Sequence, residues 1–398
     1  MFWERRLDKW ATGVRERIAL PLRVDLWNGK QLHMSHEHPQ VIIRVPHVSS
    51  LACLFKPTLL NLGTAYVDGK IDIEGKASSV IAIGNALAKI TQKAEGRLLR
   101  NVRKILRSRE TDRKAIEYHY DVSNEFYKLW LDENLVYSCA YFEHGNESLA
   151  SAQIKKIDLI LKKIKVKPGH TLLDIGCGWG ALVIHAAKYY GAKCVGITLS
   201  ENQAQHARML VEQAGLSHLV EIRLQDYRDT TGQFERITSV GMFEHVGIKN
   251  LPAYFSKIND LLAEQGIAMN HGITSTDANS GETPHGNGEF IEKYVFPNGE
   301  LPHLSLALNA MQLGGLEVID IENLRRHYAR TCELWADNFE EKAKEIISLA
   351  GERRHRIWRV YLAGCSHAFN EDWISLYQIV CVKAGHHPSS LAWSRNQV

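Results

Sequence analysis

A glycine-rich turn is the stretch of this chain whose residue types point most directly to chemistry. Gly176-Cys-Gly178-Trp-Gly180 follows the strand-like segment Thr171–Ile175 and leads into a helical pattern. Glycine lets a ligand approach the backbone closely, and the first N–H groups of the following helix face that ligand. The spacing is GxGxG, not the GxGxxG of dinucleotide enzymes, and Asp174 precedes it. A close backbone beside a carboxylate predicts a site for a ligand with amino and carboxylate ends.

Two further strand ends carry side chains that suit a nucleoside. Thr198, Leu199 and Gln203 follow the second predicted strand, where a ribose would lie. After the third predicted strand, Asp226 can accept a hydrogen bond from an adenine amino group, and Tyr227 can cover the ring. Asp226 also fits a helix N-cap, and both interpretations stay open.

The segment from Asp174 to Gly180 resembles motif I of the S-adenosylmethionine (SAM) dependent methyltransferases, which implies SAM as the cofactor. From about residue 150 the pattern alternates strand and helix, which predicts a parallel sheet covered by helices on both faces. The expected fold class is α/β, a Rossmann-like class I SAM methyltransferase with a mostly parallel seven-stranded sheet. The predicted strands are Thr171–Ile175, Lys193–Thr198, Val220–Leu224, Arg236–Gly241, Gly266–Gly272, Gly315–Ile321 and Leu376–Lys383.

Three parts are predicted along the chain: a small α+β domain at 1–90, a basic helical linker at 91–116 and a catalytic domain at 117–398. In the first part, strand-forming residues alternate with turn pairs such as Asn28-Gly29. The pattern around Asp68-Gly69 predicts a hairpin there. The strands predicted in this part are Val24–Trp27, Val41–Val45 and Lys70–Glu74.

Two segments combine apolar residues with positive charge. Segment 1–19 reads as an amphipathic helix, which fits either packing within the protein or insertion at a lipid interface. The linker 91–116 carries nine basic and three acidic residues, a net charge of +6. It is either a solvated helix face or a contact with an anionic membrane surface. The apolar residues that recur at helical spacing in the first segment are Trp3, Leu7, Trp10, Val14 and Ile18.

Five stretches together resemble the cyclopropane-fatty-acid synthases, relatives of the mycolic acid cyclopropane synthases, over roughly residues 115–385. The resemblance implies transfer of a methylene from SAM to cis double bonds of unsaturated phospholipid acyl chains. The N-terminal part resembles the lipid-binding domain of the bacterial phospholipid enzymes, which the mycolic acid enzymes lack, and this favours phospholipid as the substrate. The five stretches are Tyr118–Tyr127, Tyr137–Tyr141, Gly241–Gly247, Glu289–Pro297 and His327–Thr331.

The implied reaction needs a base. An alkene takes a methyl group from a sulfonium, and the resulting carbocation then loses a proton in a site that excludes water. Members of the family hold a bicarbonate ion as that base. The residues they use match Cys139, Glu244, His271 and Tyr328, with a backbone contribution near Ile273.

Some of these residues owe their assignment to the resemblance alone. Cys139 by itself would be a small buried apolar residue, and Tyr328 would be core packing. The resemblance also implies that Tyr137 and Ser138 contact the cofactor. The insertion Ser275–Pro302 is expected to carry substrate specificity. The complete set of base ligands favours ring closure, and a methyl-branching lipid methyltransferase is the alternative.

Composition sets the remaining expectations. The 398 residues are 45% hydrophobic and 23% charged, as in folded proteins of two domains. A net charge of +3 without a polybasic block gives no sign of nucleic-acid binding. The seven scattered cysteines form no CxxC pair, which indicates reduced thiols and no metal site. Without a predicted membrane span or signal peptide, the chain is expected to be cytoplasmic and peripheral to the inner face of the membrane. The resemblance also implies that the protein forms a homodimer.

Overall fold

The computed structural model describes residues 2–91, 123–278, 287–296, 299–386, 388–389, 391 and 393–394. The described residues group into two compact units. The first unit combines the described residues before 107 with parts of the later segments 283–297 and 336–367, and the second contains the remainder. Unlike the boundaries expected from sequence, this grouping gives two segments of 117–398 to the N-terminal unit. The predicted linker lies, apart from Thr91, outside the described residues.

The helices are numbered along the chain. In the described residues they begin and end as follows: α1 Phe2–Arg15, α2 Ala52–Phe55, α3 Leu59–Val67, α4 Ala77–Thr91, α5 Asn124–Lys128, α6 Leu149–Lys163, α7 Ala181–Tyr190, α8 Glu201–Gln213, α9 Phe243–Val246, α10 Leu251–Leu261, α11 Asn287–Tyr294, α12 Leu304–Leu313, α13 Arg325–Glu341, α14 Ala343–Ala350 and α15 Glu352–Asn370. Within the described residues, no helix has both the length and the apolar character needed to cross a membrane.

The first unit contains a four-stranded sheet in the order β2-β1-β3-β4 among its described residues. β1 turns back into β2 at Asn28-Gly29, where Gly29 has a φ of +84°. β1 is parallel to β3, and β3 is antiparallel to β4. Alternate residues of β1 and β3 are buried, as in a sheet with one face on a core. The strands are β1 Leu22–Leu26, β2 Gln31–His33, β3 Val41–Val45 and β4 Asp72–Glu74.

Arg359 shows how a late helix belongs to this first unit. Its guanidinium donates to Glu340 Oε1 at 2.6 Å, to the hydroxyl of Tyr66 at 3.1 Å, and to the carbonyl oxygens of Ile73 and Gly75 at 3.2 and 2.6 Å. The planar, five-donor guanidinium suits several acceptors at once. Residues about 290 positions apart in sequence are thereby joined in one unit.

The amphipathic helix α1 packs mainly on its own unit. Leu7, Ala11 and Val14 are at most 2% exposed and lie in the core of the first unit. Trp3 is 42% exposed and stacks on Phe55, with 6.5 Å between ring centroids. Of the two interpretations of this segment, packing within the protein therefore accounts for the centre of the apolar stripe.

The hairpin predicted around Asp68-Gly69 is wrong. Tyr66 and Val67 form the last turn of α3, and Gly69, with a φ of +68°, follows its end. The N-cap Thr58 accepts a hydrogen bond from the N–H of Asn61. Turn residues therefore mark the end of a helix here, and not the bend between two strands.

The described residues of the second unit form a seven-stranded sheet in the order β10-β11-β9-β8-β5-β6-β7. Strands β5 to β9 pair in parallel, whereas β11 runs antiparallel to both β9 and β10. This confirms the predicted mostly parallel, Rossmann-like sheet. The strands are β5 Thr171–Ile175, β6 Lys193–Thr198, β7 Val220–Leu224, β8 Phe234–Val240, β9 Leu262–Ser275, β10 Leu316–Asn323 and β11 Ile374–Lys383.

Apolar cores cover both faces of this sheet. Leu172 of β5 packs in a core with residues of α6, α7 and α8. Its neighbour Leu173 packs in another core with residues of α9, α10 and α12. Successive residues of a strand point to opposite faces, so cores on both sides account for the consecutive buried residues Leu172 to Ile175 of β5. Polar residues such as Asp174 and Thr198 lie at the carboxyl ends of the strands.

Candidate active site

The glycine-rich turn begins where β5 ends. Gly176 and Gly178 have φ angles of +81° and +55°, which L side chains rarely adopt. The N–H groups of Gly176 and Cys177 donate to the carbonyl oxygen of Ile197 at 3.0 and 2.9 Å, which ties the turn to β6. A Cβ at Gly196 would lie 3.0 Å from Cys177. The glycines of the turn and Gly196 on β6 therefore allow the turn to lie close to the sheet.

A cavity lies beside this turn, at the carboxyl ends of β5 and β6. This is where ligands bind in open α/β sheets. Nine of the ten predicted cofactor residues line it: Tyr137, Ser138, Asp174, Gly176, Gly178, Thr198, Leu199, Gln203 and Tyr227.

Asp174 supplies a buried carboxylate to the cavity. Its Oδ1 accepts a hydrogen bond of 2.7 Å from the hydroxyl of Thr238 on β8. Burial raises the pKa of Asp174 to about 6, and the bond from Thr238 and the charge of Lys156 oppose that rise. The carboxylate is therefore mainly ionised at neutral pH and suits a ligand ammonium group.

Thr198 orients the amide of Gln203. The Thr198 hydroxyl donates to Gln203 Oε1 at 2.9 Å, and the N-cap Ser200 accepts from the N–H of Gln203. Because Oε1 faces Thr198, the NH2 group of Gln203 is directed elsewhere and can only donate. This geometry suits the hydroxyl oxygens of a ribose, which was the role predicted for Gln203.

Asp226 is the predicted cofactor residue that the structure does not place in the cavity wall. Its side chain caps a short 3-10 helix by accepting from the N–H of Arg228, and it pairs with the Arg228 guanidinium at 2.6 Å. The N-cap interpretation therefore describes the observed position of Asp226. Tyr227 does line the cavity, and it packs edge-on against Tyr254 with 4.9 Å between centroids.

Lys156 is a cavity residue that the sequence analysis missed. It is 2% exposed, and its Nζ donates to Ser138 Oγ at 2.8 Å. Burial lowers the pKa of Lys156 to about 8, while Cys139, Asp132 and Asp174 act in the opposite direction. The available signal was its position on the stripe of α6 that also buries Gln153 and Ile157.

Aromatic rings surround the predicted cofactor residue Tyr137. Its ring centroid lies 5.7 Å from that of Tyr127, 5.3 Å from Trp130 and 5.2 Å from Trp335. Tyr137 and Trp179 line the cavity. Aromatic faces attract cations, so this wall suits a ligand that carries a sulfonium charge.

Glu244 lies just beyond the end of β8, on the short helix α9. Its Oε1 accepts a 2.6 Å hydrogen bond from the N–H of Ile273 on β9. Its Oε2 is buried without a hydrogen-bond partner among the described residues. Burial raises the pKa of Glu244 to about 7. The position before Ile273 must be a glycine, because a Cβ at Gly272 would overlap the ring of Phe243.

His271 is 1% exposed and stands two residues before Ile273 on β9. Its Nδ1 lies 3.2 Å from Gln378 Nε2 on β11, and its Nε2 has no hydrogen-bond partner among the described residues. Burial holds the pKa of His271 well below its usual value, and the charges of Lys156 and Lys163 act in the same direction. The ring is therefore neutral at physiological pH.

Cys139 and Tyr328 meet at one carbonyl oxygen. The Cys139 sulfur lies 3.2 Å from the carbonyl oxygen of Ala140 and 3.9 Å from that of Leu324, and the backbone N–H of Tyr328 donates to the Leu324 oxygen at 3.0 Å. Cys139 is fully buried, which raises the pKa of its thiol and keeps it protonated. The Tyr328 ring stacks on Phe369 with 4.6 Å between centroids.

Backbone contacts connect these two pairs across the sheet. The N–H of Leu324 donates to the carbonyl of Leu376 at 2.8 Å, and Leu376 pairs with Ile273 between β11 and β9. Ile273 in turn donates to Glu244. The four predicted base ligands thus come from separate parts of the chain to one edge of the sheet. Their catalytic roles stay predictions.

Comparison with known proteins agrees with this architecture. Residues 107–379 match the family described as mycolic acid cyclopropane synthetase, and residues 10–93 match a domain of unknown function. A probable fatty acid methyltransferase of Pseudomonas putida is 43% identical over 388 residues, which cover 96% of this chain and 97% of that protein. Cyclopropane mycolic acid synthase 1 of Mycobacterium tuberculosis is 35% identical over 279 residues, 67% of this chain and 96% of that protein.

The solved structures lead to the same family. The crystal structure of mycolic acid cyclopropane synthase CmaA1 complexed with SAH and CTAB is 34% identical, with a TM-score of 0.66 over 70% of this chain and 99% of that one. These findings confirm the resemblance, the fold class and SAM as the cofactor. The chain belongs to the mycolic acid cyclopropane synthetase family and is a SAM-dependent methyltransferase that transfers a one-carbon group to lipids.

Proposed function

We propose that this enzyme transfers a methylene from SAM to cis double bonds of unsaturated phospholipid acyl chains, forming cyclopropane fatty acids with a bound bicarbonate ion as the base. The observation that carries the proposal is a pair of unsatisfied polar atoms at one sheet edge. Glu244 Oε2 and His271 Nε2 are both buried and have no partner among the described residues. Leaving such groups unpaired costs about 1–3 kcal/mol each, which favours a ligand that completes their hydrogen bonds.

The donors and acceptors at this edge fit bicarbonate. The ion has an O–H group to donate and oxygens that accept. Glu244 offers a carboxylate oxygen as the acceptor. The donors would be a neutral His271 ring and the hydroxyl of Tyr328. The N–H of Ile273 holds the other oxygen of Glu244, and the protonated thiol of Cys139 faces backbone carbonyl oxygens, so these two groups would shape the site around the ion. The neutral forms of the thiol and the imidazole follow from their burial.

The cofactor cavity suits the parts of SAM one by one. Asp174 faces an ammonium group, and Lys156 with Ser138 faces a carboxylate. Gln203 and Tyr227 suit the ribose and the adenine ring. When bound, SAM would supply a methyl group on a sulfonium, and bicarbonate would be the acceptor for the proton that the methylated carbocation loses as the ring closes.

The residues of the chain then have three tasks. The rings of Tyr137 and Trp179 stabilise positive charge, first on the sulfonium and then on the carbocation. The buried edge around Glu244 excludes water, which would otherwise capture the carbocation. The base ligands hold the proton acceptor within reach of the transferred methyl, so that a ring closes.

If phospholipid is the substrate, the enzyme must bind to the membrane surface that contains it. Trp3 on α1 and Trp27 after β1 are 42% and 40% exposed in the first unit. Exposed tryptophans suit the lipid–water interface. We expect the protein to act there as a homodimer, in the cytoplasm, on the inner face of the membrane. Sedimentation with vesicles and light scattering of the free protein test these two expectations.

The decisive experiment identifies the product. The protein is incubated with SAM, bicarbonate and vesicles of a cis-monounsaturated phosphatidylcholine. The fatty acids are then analysed by mass spectrometry, and ring protons are sought by NMR. The expected product has gained one CH2 group as a cyclopropane ring. Glu244→Gln is expected to lower its rate of formation about 100-fold or more, whereas Glu212→Gln, an exposed carboxylate on α8 that does not line the cavity, retains it.

The other outcomes are equally informative. A CH2 gained as a branch without ring protons would assign the enzyme to methyl-branching lipid methyltransferases. Modification of free fatty acid or of another lipid, with phospholipid untouched, would refute the substrate proposal alone. Ring formation at the wild-type rate in Glu244→Gln would refute the base site.

A further inference from the structure

A row of buried side chains leads to His271 from the side opposite its unpaired nitrogen. Lys163, on α6, donates from Nζ to Gln378 Oε1 at 2.8 Å and also pairs with Glu322. Gln378 Nε2 lies 3.2 Å from His271 Nδ1. Lys163, Gln378 and His271 are 7%, 0% and 1% exposed. None of them lines the cofactor cavity.

Lys163 determines which way the amide of Gln378 points. An ammonium group only donates hydrogen bonds, so the atom of Gln378 that meets Lys163 is the carbonyl oxygen. The NH2 group must then face the imidazole of His271. The assignment of amide oxygen and nitrogen, often ambiguous in a glutamine, is thus fixed here by a charged neighbour.

The amide in turn determines where the imidazole carries its proton. The NH2 group of Gln378 only donates, so Nδ1 of His271 must accept and has no proton. A neutral imidazole has one N–H, which is then on Nε2. The buried ring is neutral, because its pKa lies well below the usual value.

We propose that Lys163 and Gln378 are positioning residues that hold His271 as its Nε2–H tautomer, so that the ring presents a hydrogen-bond donor to the base site. The inference rests on the proposed function, which supplies an anion for that donor. With the opposite tautomer, a lone pair on Nε2 would face the anion and repel it. Glu322, whose side chain is 35% exposed, compensates the buried charge of Lys163.

The proton position is measured directly by NMR of the protein labelled with 15N-histidine. The two ring nitrogens have different chemical shifts according to which one is protonated. Comparison with His271→Asn identifies the signals of His271 among those of the 19 histidines. The expected result for the wild type is a single neutral tautomer with the proton on Nε2. A proton on Nδ1 in the wild type overturns the proposal.

Gln378→Glu should reverse the direction of the hydrogen bond between residue 378 and Nδ1 of His271, with little change in side-chain volume. A carboxylate accepts from Lys163 and, on its other side, from a proton on Nδ1. The His271 signals should therefore show a protonated Nδ1, and kcat for ring formation should fall about 100-fold or more, as when a preorganised donor is lost. The KM for SAM should stay unchanged, since these residues do not line the cofactor cavity. A ring that stays protonated on Nε2 alone overturns the proposal.

Lys163→Met tests the first link of the row. Without the ammonium group, the amide of Gln378 can flip, and a mixture of the two tautomers is expected. Lys162→Met, the same substitution one residue earlier at an exposed position of α6, should keep the wild-type spectrum. A single Nε2–H tautomer in Lys163→Met would remove Lys163 from the proposal. Thermal unfolding of each variant checks that it is folded.

The NMR measurement needs neither lipid nor bicarbonate. A wild-type protein with the predicted tautomer that forms no cyclopropane would refute the proposed function and leave the tautomer assignment intact. Ring formation together with a proton on Nδ1 would support the proposed function and refute the tautomer assignment. The two failures are therefore distinguishable.

Discussion

The cofactor cavity and the base site lie on the same sheet edge, but they differ in how their polar groups are satisfied. In the cavity, Asp174 is held by Thr238, and Lys156 by Ser138. At the base site, Glu244 and His271 each keep one buried atom without a partner among the described residues. This difference is the reason why we propose a ligand at the base site.

The two regions should therefore respond differently to substitution. Changes in the cavity should act on SAM affinity, because its residues are the predicted cofactor contacts. Changes at the base site should act on turnover, because its residues are proposed to hold the group that removes a proton after methyl transfer.

Glu244→Gln is expected to have the largest effect. The substitution keeps the side-chain volume but removes the carboxylate that accepts from the base. Turnover to the ring product should fall by about 100-fold to 10,000-fold, the usual contribution of acid–base catalysis. Calorimetric titration should show an unchanged dissociation constant for SAM. Equal losses of affinity and turnover would mean that the two regions are not separate.

Lys156→Met should show the opposite pattern. The substitution removes a buried ammonium group that bonds to Ser138 and that we propose to bind the carboxylate of SAM. A hydrogen bond to a charged group contributes about 1.5–3 kcal/mol, so SAM affinity should fall by about 10-fold to 100-fold. Decarboxylated SAM should bind wild type and variant equally well. Lys155→Met, at a mainly exposed salt bridge on the same helix, is the control and should bind SAM normally.

Below the pKa of Glu244, the turnover rate should decrease by about tenfold per pH unit. Burial raises the pKa of Glu244 to about 7. As pH falls below that value, the carboxyl becomes protonated and can no longer accept a proton from the base, so turnover decreases. The rate is measured at saturating SAM and constant bicarbonate ion concentration. In Glu244→Gln this acid limb should be absent, and its persistence would assign it to another group.

Cys139→Ala should have the smallest effect. Burial keeps this cysteine as a thiol, so it is a weak donor and not a nucleophile. Loss of one neutral hydrogen bond predicts a decrease in turnover of about 2-fold to 10-fold. Complete loss of activity in a folded variant would contradict this role, and a covalent adduct on Cys139 would do so more strongly.

The sequence predicted the parts of the molecule that depend on local patterns. The turn at Gly176 and Gly178 was identified because its spacing and its place after an apolar strand are both local. Asp226 illustrates the limit of that approach. Its position after β7 suited a contact with adenine, but the neighbouring Arg228 pairs with its carboxylate. A partner two residues away is not visible in a pattern of strand ends, and the contact of Asp226 with adenine stays a prediction.

Contacts between distant residues could not be predicted from sequence. Gln378 reaches His271 across 107 residues, and Lys163 reaches Gln378 across 215. Only the antiparallel pairing of β11 with β9 brings the first two together. Lys156 was missed for a related reason, since a lysine in a helix is usually solvated and its burial depends on tertiary packing.

The central claim is that the edge with Glu244 and His271 holds bicarbonate as the catalytic base. It is tested most directly by measuring ring formation in buffer freed of carbon dioxide, with bicarbonate added back and chloride as the control salt. The account predicts a very low rate without bicarbonate and a saturable increase on its addition. A full rate in its complete absence would contradict the account.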